Sequence, residues 1–219
     1  MYKYEKEGKR HRKEKLVCQD VVDGEVRNGI WVLVAADGSS KNDFGRHGAE
    51  RTVQTVKEFL FTYFEELYGM EEKDIQFAVM NQVRDQLYQE CDEHGIGLDE
   101  LKSTLLAVAY EKDTGKMIRL HLGDGYIVVK QQGRYRFHSY PDNGKNRYAT
   151  YLTSMIPIWH RLHVQTKREE GVEEICLLTD GWLEIAGSDK KILELVNQIP
   201  KAQNWDAEDD LGYISATLI

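Results

Sequence analysis

GIWVLVAADGSSKNDFGRHGAERTVQTVKEFLFTYFEEL, residues 29–67, changes its hydrophobic period partway along. Trp31 to Ala36 is an unbroken apolar run of strand length, as expected of a strand covered on both faces. Asp37-Gly38 ends it. From Phe44 onward Ala49, Val53, Val56, Leu60, Tyr63, Phe64 and Leu67 recur at three- and four-residue spacing, which predicts an amphipathic helix. Asn42 or Asp43 is placed to cap its start, and Gly69 to end it.

Working outward, Leu16 to Val22 and Gly29 to Ala36 read as two strands joined by a turn around Asp23-Gly24 and Asn28-Gly29. Downstream, Ile75, Val79, Val83, Leu87 and Cys91 line one face of a second helix from Lys73 to His94, which Gly95-Ile96-Gly97 stops. The chain then turns strand-rich. Ser103 to Glu111 pairs with Met117 to Leu122 across a polar turn, and Tyr126 to Gln131 with Tyr135 to Tyr140 across Gln132-Gly133-Arg134. Residues 141–157 are polar and turn-rich, and predict a loop or small flap. Arg161 to Gln165 and Glu173 to Thr179 return to strand, Asp189 to Gln198 to helix, and Gly212 to Ile219 to strand. Helices grouped apart from hairpin-linked strands indicate an α+β fold, a four-layer α-β-β-α sandwich of two antiparallel β-sheets flanked by helices.

At 219 residues the chain suits one domain with a large core, spanning residues 1–219. The net charge of −8 argues against general binding to nucleic acid, which draws on clustered positive charge. No apolar run approaches the roughly 20 residues of a membrane span, and Met1 to Lys15 is polar and basic with no signal-peptide core. Cys18, Cys91 and Cys176 are scattered and odd in number, which suggests unpaired thiols in a reducing cytoplasm; Cys18 and Cys176 lie in apolar runs as core thiols. Nothing marks an oligomer interface, so a monomer is expected.

Asp37 ends a fully apolar strand, and Asp180-Gly181 repeats that arrangement after Ile175 to Leu178. Either carboxylate would cost several kcal/mol if buried unpaired. A hard cation relieves that cost, and glycine after the aspartate lets a backbone carbonyl approach it. Gln19-Asp20, Gly123-Asp124-Gly125 and Asp209-Asp210 complete a scattered acidic set suited to Mg²⁺ or Mn²⁺.

In order along the chain stand HRKEKLVCQD from His11, ADGSSKNDFGRHGAERTVQTV from Ala35, STLLAV from Ser103, LHLGDGYIVV from Leu120, LLTDGW from Leu177 and the closing acidic pair. In this series the chain resembles the metal-dependent protein phosphatases of type 2C, in their compact bacterial branch. The resemblance implies a serine/threonine phosphatase of bacterial signalling that hydrolyses phosphoproteins by metal-activated water, with no phosphoenzyme intermediate. It implies two Mn²⁺ or Mg²⁺ ions between the sheets, with a weaker third. Asp37 would bridge the two ions and the Gly38 carbonyl would join their shell. Asp180 and Asp209 would come from the opposite sheet, Asp20 would act through water, and Asp124 would hold the third ion.

Three positions depart from the family pattern. Gln19 stands where larger members carry glutamate. Lys15 stands where the phosphate-binding arginine is usual, a point charge without the bidentate fork, for which Arg10 or Arg12 could substitute. Asp209-Asp210 replaces Asp-Asn, with Asp209 favoured as the ligand. His11, upstream of Asp20, is either a proton donor to the leaving oxygen or an exposed residue of a basic arm. His47 reads as a surface or capping residue. The short interval between Asp124 and Asp180 implies a small flap and an open site, where Asn143, Lys145, Asn146 and Arg147 could meet a phosphoprotein. The alternative is a non-catalytic, phosphoprotein-binding module of the same fold, motivated by Lys15 and the altered last motif. An unrelated α+β domain whose aspartates are turn residues is the third reading.

Overall fold

The computed structural model describes residues 1–39, 44–143, 150–155, 159–202 and 204–218. The proposed Asn42 or Asp43 cap, Lys145, Asn146, Arg147 and part of the 141–157 segment lie outside them.

Strand β3, Ile30–Asp37, explains the continuous apolar run: both of its faces are covered. Val32, Val34 and Ala36 pack into a core with α2, Phe44–Gly69, and α3, Glu72–His94, while Leu33 and Ala35 face a second core on the other side. The same period-two division holds in β4, Leu105–Glu111, where Leu105, Ala107 and Ala109 face the helices and Leu106, Val108 and Tyr110 face inward. These strands belong to a sheet ordered β2-β3-β4-β5-β8, completed by β2 at Asp20–Arg27, β5 at Lys116–Leu122 and β8 at His163–Arg168.

The opposing sheet is ordered β1-β10-β9-β6-β7, from Tyr2–Lys6, Leu211–Thr217, Val172–Leu178, Tyr126–Gln131 and Arg134–Ser139. Ile127, Val129, Ile175 and Leu177 turn toward the first sheet. Tyr126, Val128, Cys176 and Leu178 turn outward to Trp182, Ile192 and Leu195 of α4, Gly181–Ala186, and α5, Asp189–Leu195. Three apolar cores between four layers are the α-β-β-α sandwich that the pattern predicts. All the described strand pairings within each sheet are antiparallel.

Several local expectations are corrected. Residues 9–14 form a short helix, α1 (Lys9–Glu14), so β2 begins at Asp20 rather than Leu16. His11 therefore lies on a helix and not in a strand region. Asp23-Gly24 is no turn; both residues lie inside β2, paired with Val34 and Leu33. The reversal sits at Asn28-Gly29, whose φ values of 50° and 82° are the pair of left-handed conformations that a two-residue hairpin needs. β8 starts at His163, two residues later than expected, and α5 ends at Leu195 rather than Gln198. Neither α1 nor α4 was foreseen, because elements of about six residues carry too little periodicity to register.

Candidate metal centre

Strand parity carries the acidic residues to one place. In β3, Leu33 and Ala35 face the gap between sheets, and Asp37 continues that face; in β2, Val22 does so, and Asp20 continues it. Asp20 and Asp37 are cross-strand partners in register. Asp124 follows β5, Asp180 follows β9 and Asp209 precedes β10, all at the same end of the sandwich. Asp37, Asp124 and Asp180 there each offer a carboxylate oxygen within 4.8 Å of the others.

The backbone fixes these positions. The Asp37 N–H donates to Thr104 Oγ1 at 2.9 Å, and the Thr104 N–H donates to the Asp37 carbonyl at 2.9 Å. A Cβ on Gly38 would lie 2.2 Å from the Gly45 carbonyl oxygen, so only glycine lets the first turn of α2 seat against this loop. On the facing sheet a Cβ on Gly181 would lie 1.9 Å from the Asp210 carbonyl oxygen, which fastens the Asp180 loop to the closing acidic pair. Thr150 Oγ1 donates to Asp124, and Thr179 Oγ1 donates to Asp20 Oδ2 at 2.6 Å, spanning the sheets.

Like charges held this close repel by on the order of 3 kcal/mol per pair at an effective dielectric of about 20. Burial, then Asp20, Asp180, Asp209 and Asp124, pushes the Asp37 carboxyl well above the ordinary carboxylate range. Burial, then Asp124, Asp209 and Glu184, pushes Asp180 up to about 8. Asp20 is raised by burial and neighbouring aspartates against the opposing Thr179 bond, and Asp124 by burial against Thr150. The strongest charged influences on Asp37 and Asp180 are all acidic. A cluster of carboxylate oxygens whose strongest charged neighbours are acidic fits a hard divalent cation.

The closing pair divides into two roles. Asp210 is 3% exposed and saturated: Oδ1 accepts the Gly8 N–H at 2.7 Å, and Oδ2 accepts the Gln19 N–H at 2.6 Å and meets His11 Nδ1 at 2.8 Å. Asp209, 34% exposed, acts on Asp37 and Asp180 and pairs with Arg10 at 3.0 Å. Its carboxylate is not among the three that converge within 4.8 Å.

His11 is 6% exposed, which overturns the exposed-arm reading, and it borders a cleft of about 560 Å³ with Arg10, Glu14, Ser39 and Lys102. Lys15 caps α1 in a left-handed conformation and is exposed. Arg12 is committed to Asp206 and the Glu7 carbonyl. Cys176 is a buried core thiol as expected, whereas Cys18 lies half-buried in the loop before β2, outside the apolar cores, with its thiol on the Asp20 carbonyl; burial pushes both thiols up. Sequence reasoning missed Thr104, Thr150 and Thr179. Thr179 carries a signal, since it adjoins Asp180, and Thr104 lies within the STLLAV motif; Thr150 has no aspartate motif beside it in the sequence.

A family model described as protein phosphatase 2C matches residues 7–207, ending short of Asp209. No curated protein matches the chain. Among solved structures, the Mycobacterium tuberculosis serine/threonine phosphatase PstP/Ppp aligns at 16% identity over 99% of this chain and 97% of its own, with a TM-score of 0.69. A bacterial serine phosphatase aligns at 13% identity over 100% and 97%, with a TM-score of 0.67. RsbX in complex with magnesium aligns at 14% identity over 98% and 91%, with a TM-score of 0.62. At such identities the likeness to each structure is one of fold.

Proposed function

The chain belongs to the protein phosphatase 2C family of metal-dependent serine/threonine phosphatases, and from that premise we propose how its own residues divide the work. The observation that supports the reading is the convergence of Asp37, Asp124 and Asp180, whose strongest charged neighbours are acidic. Asp37, Asp180, Asp209 and the Gly38 carbonyl would hold two Mn²⁺ or Mg²⁺ ions, with Asp20 supporting them and Asp124 serving a weaker third. Bound divalent ions supply positive charge to a phosphoryl group and bring the pKa of a coordinated water toward neutrality.

Arg10 is the basic residue suited to grip the substrate phosphate. It borders the cleft, lies on the first turns of α1 and already pairs with a carboxylate of the acidic cluster. Lys15 points to solvent from the far end of that helix. His11 has its Nδ1 held by Asp210, so its ring is oriented and its other nitrogen is left to hand a proton to the departing alkoxide. Of the segment read as a flap, the described Thr150 bonds Asp124, and the Asp142 N–H donates to the Gly123 carbonyl at 2.8 Å. The protein acts as a cytoplasmic monomer on phosphoserine and phosphothreonine in proteins. Among the described residues no helix is long and apolar enough to cross a membrane.

Mn²⁺-dependent hydrolysis of p-nitrophenyl phosphate and of a phosphothreonine peptide tests this reading. Absence of turnover with Mn²⁺ and Mg²⁺ alike would favour the non-catalytic module. Within the active protein, Arg10→Ala is expected to lower kcat/KM about tenfold, mostly through KM, because a charge-assisted phosphate contact is lost. Lys15→Ala is expected to change it less than about twofold. Steady-state kinetics on the peptide with both variants decides which residue is the clamp.

A further inference from the structure

A second group of metal-ligand side chains lies away from the aspartates, at the junction of the two long helices. His47 is in the first turns of α2, Glu90 and His94 are one turn apart at the end of α3, and each offers a ligand atom within 4.8 Å of the others. His94 Nε2 stands 3.4 Å from Glu90 Oε2. Two ligands about 2.0 Å from a tetrahedral ion are about 3.3 Å apart, so this pair already has the spacing of a shared metal. The His47 and His94 rings are 5.7 Å apart and inclined at 54°, with Phe44 packed at 5.6 Å and 5.8 Å from them as an apolar wall.

The carboxylate is prepared for the role. Glu90 is buried, and the Arg51 guanidinium donates from Nε to its Oε1 at 2.6 Å and again from Nη2. Both guanidinium bonds fall on Oε1, and Oε2 is turned toward His94. That is the outer-shell support metal-bound carboxylates commonly have. A cation here also sits at the C-terminal end of the 23-residue α3, where the helix dipole favours positive charge.

We propose that His47, Glu90 and His94 form a metal site for borderline divalent ions such as Zn²⁺, Co²⁺ or Ni²⁺, separate from the hard-ion aspartate centre. Two imidazoles and one carboxylate suit those ions and suit Mg²⁺ poorly. The site ties the start of α2 to the end of α3. Since Gly45 of α2 seats against Gly38, a metal here braces the helix end on which the Asp37 loop rests.

The test uses the full chain carrying Asp37→Asn, which disables the aspartate centre, dialysed against Zn²⁺ in excess Mg²⁺. It is expected to retain a single equivalent of zinc more than the same chain with His47→Ala and His94→Ala added. Zinc about a hundredfold above its dissociation constant should raise the melting temperature of the first chain by about 5–10 °C and leave the second unmoved. His47 and His94 are exposed, so their removal should leave the circular dichroism spectrum unchanged, which establishes that the second chain is folded. Equal zinc in the two chains, or no zinc in the first, would overturn the assignment.

Discussion

Asp37→Asn is expected to abolish turnover and, in metal-free protein, to raise stability. Three converging carboxylates strain the fold when no cation joins them, and Asp37 is pressed by four aspartates. Removing one charge relieves this by about 2 kcal/mol near pH 8, which for a chain of this size is a rise of about 5 °C in melting temperature. The pH dependence has a definite sign. Burial and like charges raise the folded-state pKa values of these aspartates, Asp180 to about 8, above the ordinary 3.8. Between those limits the folded chain binds protons that the unfolded chain has lost, so its stability falls as pH rises. The gap between parent and variant should therefore be small near pH 4.5 and widen toward pH 8. Melting curves in EDTA from pH 4.5 to 8 measure it, and a gap that narrows with rising pH would refute the electrostatic account. Loss of at least about a thousandfold in kcat is expected alongside, a trade of function against stability located in one side chain.

The second large effect separates the two neighbouring aspartates. Asp210→Ala is expected to destabilise the protein by about 3–5 kcal/mol, because it strips partners from two backbone N–H donors and a buried imidazole. Asp210 joins the start of α1, the entry to β2 and the start of β10, so the loss reaches three segments of chain. Asp209→Ala removes only a half-exposed carboxylate paired with a largely exposed arginine. Its stability should move by less than about 1 kcal/mol, while its Mn²⁺ affinity falls. Urea unfolding of both variants, with Mn²⁺ titration of each, reads out the two roles. Comparable destabilisation of both would contradict the division.

The layered fold was legible because β3 and β4 are apolar on both faces and α2 and α3 carry long stripes; only coverage from both sides accounts for that pattern. The strand ends were legible too, and with them the positions of Asp37, Asp124 and Asp180. What a linear reading cannot supply is which polar group meets which across the gap. The Thr179 hydroxyl on Asp20 and the Asp210 carboxylate on His11 join residues 159 and 199 positions apart. The sequence leaves His11 open between an exposed arm and a proton donor because its neighbours are basic; the short helix α1 turns it inward while Arg10, Arg12 and Lys13 stay at the surface.

The aspartates at the end of the sandwich are proposed to form a divalent-cation centre. Anomalous diffraction from crystals of the protein grown with Mn²⁺ tests it most directly. Manganese peaks are expected between the sheets, within coordination distance of Asp37 and Asp180, and should vanish in Asp37→Asn. A well-ordered map with no manganese there, or with peaks unchanged by that substitution, would contradict it.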